Sequence, residues 1–468
     1  MDVQIDTEAG RGRRDEIYRQ IRAAVLDGRL RAGEALPPSR ELAQRLAVSR
    51  NTVSAAYDRL TAEGFLVTRV GAGTFVRAGA TGAEAEGKPD PLRPLAEWDE
   101  VPAPPVLSHA RPRYDFRVGI PDVSLFPFGT WRRLSAGELR GSDPDILGYG
   151  NPAGHSGLRA AIARHIGVSR DVRVTGEDVV VTNGAQQALD LLTRVLLRPG
   201  DRVALEDPGY PPPRRLLGAL GVHPVAVRLD EEGLVVSEIP DGTRAVYVTP
   251  SHQFPLGMSM SLSRRLELIE WARRHDAVIV EDDYDTEFRY TGRPLEPLHS
   301  LDESGRVVYI GSFSKVLLPA LRLGFVVAPR SLRAALVKAK HLSDWQTNGP
   351  VQATLARFIE DGSFAKHVRR ARREYRARHD RLAEALVGEF ADLGTPVPAQ
   401  AGLHVSVLTE RPTGNLVRAA RELDVALFSL GGFGMRREGP RGFVLGYGAV
   451  QLADIEPGLR RLRAASSK

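Results

Sequence analysis

The spacing of apolar residues near the start of the chain predicts an amphipathic helix. In residues 14–27, Ile17, Ile21 and Val25 recur at every fourth position, which places them on one helical face. Gly28 follows directly, and glycine is typical of the position where a helix ends. The chain therefore begins with a helix that has one apolar side.

Two serines predict the starts of two further helices. Ser39 is placed to cap a short helix that carries Leu42 and Leu46, and Ser49 is placed to cap the next helix. In that second helix three apolar residues point inward, and four polar residues near its N-terminus point outward. The inward set is Val53, Tyr57 and Leu60, and the outward set is Arg50, Asn51, Thr52 and Ser54. The pair has helix-turn-helix geometry, in which the second helix can lie in a major groove.

Two short strand-like runs follow these helices, at residues 65–68 and 74–76, and they enclose a glycine-containing turn at 70–73. Such a hairpin is typical of a wing. Residues 11–77 contain 13 Arg, no Lys and 7 Asp or Glu, so this segment carries a charge of +6, equal to that of the whole chain. A basic module of this kind favours a polyanion as partner. The alternative is a small helical interaction domain with a solvated charged face.

From about residue 114 the pattern changes to apolar runs that alternate with helical patterns. This alternation predicts an α/β domain with a largely parallel sheet, whose sites lie at the carboxyl ends of the strands. The runs typical of strands are 178–182, 202–206, 222–228, 245–249, 277–281, 307–311 and 324–328.

One of these runs leads directly to a lysine. Val308-Tyr-Ile-Gly-Ser-Phe-Ser-Lys315 is a buried strand that breaks at Gly-Ser-Phe-Ser, and Arg322 follows after one short segment. Desolvation in an apolar setting lowers the pKa of a lysine, which suits formation of a Schiff base with an aldehyde. Arg322 could bind a phosphate in bidentate fashion. The alternative is an ordinary surface lysine after a strand.

Polar and aromatic residues follow four other strands. The segment 183–187 opens a helix whose free N–H groups suit a phosphate. Tyr210 offers a flat face, His252 adds a polar group, and Asp282 with Tyr284 could pair with a pyridine ring. Each also has a plain explanation, since Tyr210 could serve packing, His252 could be structural and Asp282 could cap a loop.

Composition narrows the class of protein. The chain has 468 residues with 42% hydrophobic positions and no cysteine, which excludes disulfides and thiolate metal sites, and we expect no metal site. The N-terminus lacks the apolar segment of a signal peptide, and no apolar run is long enough to span a membrane, so we expect a cytoplasmic protein. Residues 78–113 are rich in Ala, Gly, Pro and acidic residues, which predicts a linker between domains at 11–77 and 114–465.

The first domain resembles the winged helix-turn-helix of GntR-family regulators. The resemblance rests on LPPSRELAQRLAVSRNTVSAAYDRLTAEGFL and the closing GAGTFV. It implies that helix starts, recognition-helix residues and wing residues contact bases or phosphates of double-stranded DNA. The residues concerned are Ser39, Arg40, Ser49, Arg50, Asn51, Thr52, Gly71, Gly73 and Thr74.

The second domain resembles the fold type I aminotransferases, which bind pyridoxal 5′-phosphate. The resemblance implies a mostly parallel large domain with a smaller C-terminal α+β subdomain. It implies that Lys315 forms the internal aldimine, that Asp282 pairs with the pyridinium, and that Tyr284 lies near the phenolate oxygen. Tyr210 would stack on the ring, and His252 would hydrogen-bond the cofactor. The phosphate would be held by Ala185, Gln186, Ser312, Arg322 and, from the partner subunit, Tyr149.

One position departs from the aminotransferase pattern. These enzymes usually present an arginine for the substrate carboxylate on a strand near the C-terminus, and the corresponding position here is Val444. Three arginines lie nearby in sequence, namely Arg436, Arg437 and Arg441. The sequence does not show which way their side chains point. The cofactor positions are therefore complete, whereas the usual position of the carboxylate clamp holds a valine.

Together the two domains and the linker are similar to MocR-type transcriptional regulators. The resemblance implies a homodimer whose DNA module crosses to the partner subunit. It further implies a regulator that senses the cofactor or an amine that reacts with its aldimine, with a role in vitamin B6 or amino-compound metabolism. The effector would be an amine, an amino acid or a B6 vitamer. The alternative is a working aminotransferase with an accessory DNA module.

Overall fold

A computed structural model shows two compact units, Met1–Ala96 and Glu97–Lys468. The structure describes residues 13–79, 93–95, 98–99, 101–102, 112–141, 144–290, 292, 296–410, 413–436 and 438–466. Most of the predicted linker and the position of Arg437 lie outside these residues.

The first unit contains the predicted helices and hairpin. Its elements are α1 (Arg13–Leu26), α2 (Ser39–Arg45), α3 (Arg50–Ala62), β1 (Leu66–Arg69) and β2 (Gly73–Val76). The two strands are antiparallel, and the helices enclose one apolar core. Ile17, Ile21 and Val25 of α1 are fully buried there, as their spacing predicts.

Of the two serines predicted to cap helices, one does so and the other does not. Ser49 does cap α3, since its hydroxyl accepts a hydrogen bond from the Thr52 N–H at 3.1 Å. The prediction for Ser39 is wrong, because Ser39 is the first residue of α2 and Pro38 occupies the cap position without a side-chain bond. Pro38 has φ −53° and ψ 140°, a non-helical conformation that a proline ring favours and that a cap position needs.

The second unit is built on an eight-stranded sheet with the order β4-β11-β10-β9-β8-β5-β6-β7. The strands of this unit are β3 (Tyr114–Asp115), β4 (Val179–Thr182), β5 (Arg202–Asp207), β6 (His223–Asp230), β7 (Gly233–Leu234), β8 (Thr243–Val248), β9 (Val278–Asp283), β10 (Val307–Ser312), β11 (Gly324–Val327), β12 (Thr395–Pro396), β13 (His404–Leu408), β14 (Val425–Ala426), β15 (Phe428–Ser429) and β16 (Gly442–Gly446). All seven predicted strands are present, and the central five of the sheet are parallel.

Helices cover both faces of this sheet, and apolar side chains of its strands are buried on each face. The helices are α4 (Phe128–Glu138), α5 (Pro144–Leu147), α6 (Ser156–Arg170), α7 (Ala185–Leu196), α8 (Pro211–Ala219), α9 (Leu262–Arg274), α10 (Leu298–Leu301), α11 (Arg330–Asp344), α12 (Gly349–Glu360), α13 (Ser363–Val387), α14 (Gly414–Glu422) and α15 (Ile455–Ser466). Among the described residues, no helix combines the length and apolar character needed to cross a membrane.

A smaller antiparallel sheet with the order β12-β13-β16-β15 lies near the C-terminus, with α14 and α15 around it in sequence. β3 from the start of the unit pairs with β14 from this region, which ties the two ends of the unit together. In the large sheet, β4 has the direction of the parallel strands, because β11 is antiparallel to both β4 and β10. The carboxyl ends of β4, β5, β8, β9 and β10 therefore meet at one edge.

Candidate functional site

A cavity of about 280 Å³ opens at this edge of the large sheet. Because five parallel-running strands end there, segments that are far apart in sequence contribute to one wall. Eight of the predicted cofactor residues line the cavity: Ala185, Gln186, Tyr210, Asp282, Tyr284, Ser312, Lys315 and Arg322.

Lys315 follows β10 and places its amine in the cavity. The Nζ atom donates a hydrogen bond to the carbonyl oxygen of Gly119 at 2.8 Å. Burial lowers the pKa of Lys315, and Asp285 and Asp282 oppose this shift. Gly119 has φ +77°, and a Cβ there would lie 2.8 Å from Nζ, so this approach requires glycine.

Asp282 lies at the end of β9, with 3% of its surface exposed. Its Oδ2 accepts a hydrogen bond from the Tyr247 hydroxyl at 2.6 Å, and its Oδ1 has no hydrogen-bond partner among the described residues. Burial raises the pKa of Asp282 to about 6. A buried acceptor without a partner is costly, so this carboxylate is arranged for a donor that a bound molecule brings.

The part of the cavity beside the start of α7 is suited to an anion. Helix α7 begins at Ala185, directly after Gly184 with φ +79°, so its first N–H groups face this part. Arg322, itself in the left-handed region at φ 51°, donates from Nη2 to the Asn183 carbonyl at 2.9 Å. A Cβ at Gly184 would lie 3.0 Å from the same Nη2, which shows how closely the guanidinium approaches the start of the helix.

Aromatic groups complete the walls. The Tyr210 ring meets Phe254 edge to face, with centroids 5.5 Å apart. The Tyr284 hydroxyl donates to the His252 carbonyl at 3.0 Å, so its phenol is held in a fixed direction at the cavity wall.

The first unit presents a polar face at its second and third helices and at its wing. Arg40 on α2 and Arg50 and Asn51 at the start of α3 are exposed, while Thr52 is half-buried. The Ser49 and Thr52 hydroxyls lie 2.8 Å apart, which fixes the first turn of α3.

The wing turns between β1 and β2. Gly71 and Gly73 adopt φ of 78° and 110°, conformations that side chains rarely adopt, and both are exposed. Thr74 is half-buried, and the neighbouring Val70 is fully exposed at the tip. The first unit therefore exposes both the backbone of the wing and the arginine side chains of α2 and α3.

Comparison with known proteins agrees with both units. The family of bacterial regulatory proteins called the gntR family matches residues 13–76, and aminotransferase class I and II matches residues 124–434. The probable rhizopine catabolism regulatory protein MocR of Rhizobium meliloti is 36% identical, with 98% of this chain and 95% of that protein covered. The pyridoxine biosynthesis transcriptional regulator PdxR of Corynebacterium glutamicum is 34% identical, with 93% and 91% covered.

The chain belongs to the MocR subfamily of GntR-type transcriptional regulators.

Among solved structures, LysN of Thermus thermophilus, an α-aminoadipate aminotransferase complexed with N-(5′-phosphopyridoxyl)-L-leucine, is similar to the second unit. It has 31% identity and a TM-score of 0.69, and the match covers 75% of this chain and 92% of LysN. The first unit of this MocR-subfamily protein is a DNA-binding domain, and the cofactor of its second unit is pyridoxal 5′-phosphate.

The cavity fits that cofactor. The Lys315 amine suits its aldehyde, the free Oδ1 of Asp282 suits a protonated ring nitrogen, and the α7 start with Arg322 suits its phosphate. All of these groups line the same cavity, and the aromatic ring of Tyr210 lines it too.

Two predicted cofactor residues do not line the cavity. His252 lies behind its wall, 1% exposed, with Nδ1 at 3.0 Å from Asp285 Oδ2. Tyr149 is 84% exposed and packs against Trp345, with ring centroids 4.8 Å apart. Its contact with the phosphate of a partner subunit stays a prediction.

Several lining residues were not predicted. Phe254 faces the cavity two positions after His252, and Asp285 does so three positions after Asp282. Tyr247 and His404 also line it. The carboxylate cluster around 282–285 was visible in the sequence, but nothing local indicated which side chains of that loop would face inward.

Of the arginines near Val444, the two that the structure describes, Arg436 and Arg441, do not line the cofactor cavity. Arg436 pairs with Asp207 at 2.9 Å, and both Arg436 and Arg441 line a separate cavity. Val444 is fully buried in an apolar cluster that includes Phe254 and Phe433. Among the described residues of this subunit, Arg322 is thus the only arginine that lines the cofactor cavity.

Proposed function

We propose that this regulator adjusts its DNA binding in response to pyridoxal 5′-phosphate held at Lys315, or to an amine that reacts there. The observation that carries the proposal is the Lys315 amine, held at 2.8 Å from Gly119 O in a cavity that contains the free carboxylate oxygen of Asp282. The same chain carries a winged helix-turn-helix, so one polypeptide combines a cofactor site with a DNA-reading face.

The chain's own residues have distinct roles in this proposal. Lys315 is the attachment point, Asp282 holds the proton on the ring nitrogen, and Tyr247 orients Asp282 through its hydroxyl. Arg322 and the start of α7 bind the phosphate. When bound, the cofactor supplies an electrophilic carbon and an electron-withdrawing ring.

In the DNA-binding domain, Arg50 and Asn51 reach base edges from the start of α3, and Arg40 contacts phosphates. The wing residues Gly71 and Gly73 allow the backbone to approach the duplex closely. The exposure of Arg40, Arg50 and Asn51 supports these assignments.

The functional form in this proposal is a homodimer. Tyr149 and Trp345 together expose aromatic surface that an isolated chain leaves in water, with Trp345 45% exposed. Tyr149 then contacts the phosphate in the partner subunit. Residues 78–113 would span about 100 Å at about 3.1 Å per residue if extended, enough for the DNA module to cross to the partner.

The relatives indicate what is controlled. One is named for rhizopine catabolism and another for pyridoxine biosynthesis, so the proposed targets are genes of amino-compound or vitamin B6 metabolism. The effector is the cofactor itself or an amine that reacts with it.

The second candidate function, a working aminotransferase, is tested in the same experiment. The cofactor-loaded protein is incubated with L-amino acids and a 2-oxo acid, and its affinity for DNA selected in vitro is measured with and without the cofactor. We expect less than one turnover per cofactor and a DNA affinity that changes with cofactor occupancy. Sustained turnover with an unchanged DNA affinity would support the enzyme and contradict the proposal.

A further inference from the structure

The cavity is lined by two cationic side chains, and each already has a role in binding the cofactor. Its lining contains two basic side chains, Lys315 and Arg322, among the described residues of the subunit. Lys315 is the attachment point of the proposed function. Arg322 donates to Asn183 O at 2.9 Å beside the start of α7, at the end that binds the phosphate.

Other arginines in this region are paired with acids elsewhere. Arg117 forms a salt bridge to Asp115 at 2.6 Å, and Arg436 pairs with Asp207 at 2.9 Å. Neither side chain lines the cavity. No cation of these described residues is therefore left to receive a second anionic group beside the cofactor.

His404 does not supply the missing charge. Its Nε2 lies 2.9 Å from the Pro255 carbonyl oxygen, which can only accept, so Nε2 carries the proton. Burial and the nearby His252 lower the pKa of His404 well below its ordinary value, so the ring stays neutral. The remaining nitrogen, Nδ1, is then an acceptor, which suits a hydroxyl and not a carboxylate.

Hydroxyl groups such as those of Thr249 and Ser314 also line the cavity, but none of them carries a positive charge. Val118, Phe254 and Leu403 are apolar, and behind them Val444 is fully buried among further apolar side chains. Asp285 adds a second carboxylate next to Asp282. A carboxylate in this space would lose its water without gaining a cation, which is unfavourable.

We propose that the effector is a primary amine that carries no carboxylate, with a remainder that is apolar or hydroxylated. This inference rests on the proposed function, since it specifies which amines act at Lys315. The remainder of such a molecule would be buried against Val118, Phe254 and Leu403, and a hydroxyl could donate to His404 Nδ1.

The test uses amines matched to the amino acids from which they differ only by the carboxylate. Isobutylamine is compared with L-valine, and ethanolamine with L-serine, by titration of the cofactor-loaded full-length protein while the cofactor's visible absorption is recorded. The concentration of each compound that gives half of the spectral change is divided by the concentration needed with free pyridoxal 5′-phosphate. This ratio removes the difference in basicity between the amines and the amino acids. We expect the amines to act at concentrations about tenfold or more below those of the amino acids. Equal or tighter action of the amino acids would overturn the inference.

A variant tests whether charge is the cause. His404→Arg adds a cation to the wall and should shift the L-valine to isobutylamine ratio toward the amino acid by about tenfold. An unchanged ratio in a variant that keeps the cofactor absorption would overturn the inference. If the variant no longer binds the cofactor, the inference is judged from the ratio of amine to amino-acid concentrations measured on the wild-type protein.

The outcomes separate this inference from the proposed function. If neither series changes the spectrum while the cofactor still alters DNA affinity, the inference is wrong and the proposed function stands. If the loaded protein shows no cofactor absorption, both are wrong.

Discussion

The DNA-binding unit and the cofactor cavity are built over very different sequence distances. The bond that fixes the first turn of α3 joins Ser49 to Thr52, three residues apart, whereas Lys315 bonds to Gly119 across 196 positions. The functional side chains Arg50 and Asn51 are exposed, but Asp282 is only 3% exposed. The first site therefore depends on local structure and surface charge, and the second on the topology of a sheet.

This difference determines how each site responds to change. Exposed cations act mainly on a partner, and their replacement changes stability little. Buried titratable groups are coupled to the fold, because burial itself shifts their protonation. We expect substitutions in the cavity to change the cofactor, the pH dependence and the fold together, and those on the DNA face to change DNA binding alone.

The largest effect should come from Lys315→Ala, which removes the cavity amine and leaves the DNA-binding unit unchanged. We expect complete loss of the visible absorption of covalently attached cofactor. Lys338→Ala, an exposed lysine of α11, is the matched control and should keep the band. An unchanged spectrum in Lys315→Ala would show that the cofactor is attached elsewhere.

Asp282→Asn should change the pH dependence of the cofactor-free protein. The folded pKa of Asp282 is about 6 against an ordinary value of 3.8, so its contribution to stability is present at low pH and lost as pH rises from about 4 to about 6. At 1.36 kcal/mol per pKa unit the full effect is about 3 kcal/mol.

The measurement is the free energy of unfolding of both proteins between pH 4 and pH 7. The wild type should lose stability relative to Asp282→Asn over this range, because the asparagine does not titrate. Parallel curves would contradict the assigned pKa shift.

Arg50→Ala tests the DNA-binding unit in the same way. Loss of a base contact should weaken binding to the preferred DNA by about 1–3 kcal/mol and leave the cofactor spectrum unchanged. Arg29→Ala, an exposed arginine paired with Asp27, is the control. Equal weakening on all sequences, with a smaller salt dependence, would make Arg50 a phosphate contact.

The smallest effect concerns the two serines. Ser49→Ala removes the side-chain cap of α3 and should lower stability of the DNA-binding unit by about 1 kcal/mol. Ser39→Ala removes no cap bond and should cost less than about 0.5 kcal/mol. Thermal unfolding of the two variants measures the difference, and equal losses would contradict the assigned caps.

Much of the fold could be predicted from periodicity alone. The helices of the first unit and the seven strands of the second depend on local spacing of apolar residues, and both are present. Lys315 and Asp282 could be found because each lies at or just after the end of a recognisable strand. Their meeting in one cavity follows from the parallel order of those strands.

What could not be predicted depends on side-chain direction within loops. In the segment after β8, His252 turns away to pair with Asp285, and Phe254 faces the cavity instead. The pairing of Arg436 with Asp207 joins residues 229 positions apart in sequence, which no local pattern indicates. The start of α2 could be predicted only to within one residue, because Pro38 and not Ser39 occupies the cap position.

We propose that the cofactor acts on DNA binding in the proposed homodimer by changing how its two DNA-binding units are spaced, since the separation of two half-sites is a geometric requirement. The most direct measurement is the affinity of cofactor-loaded and cofactor-free protein for selected DNA with paired half-sites and for a single half-site. We expect cofactor removal to change the affinity for paired half-sites by roughly 5- to 150-fold, and the affinity for the single half-site much less. Equal changes on both DNAs, or no change on either, would contradict it.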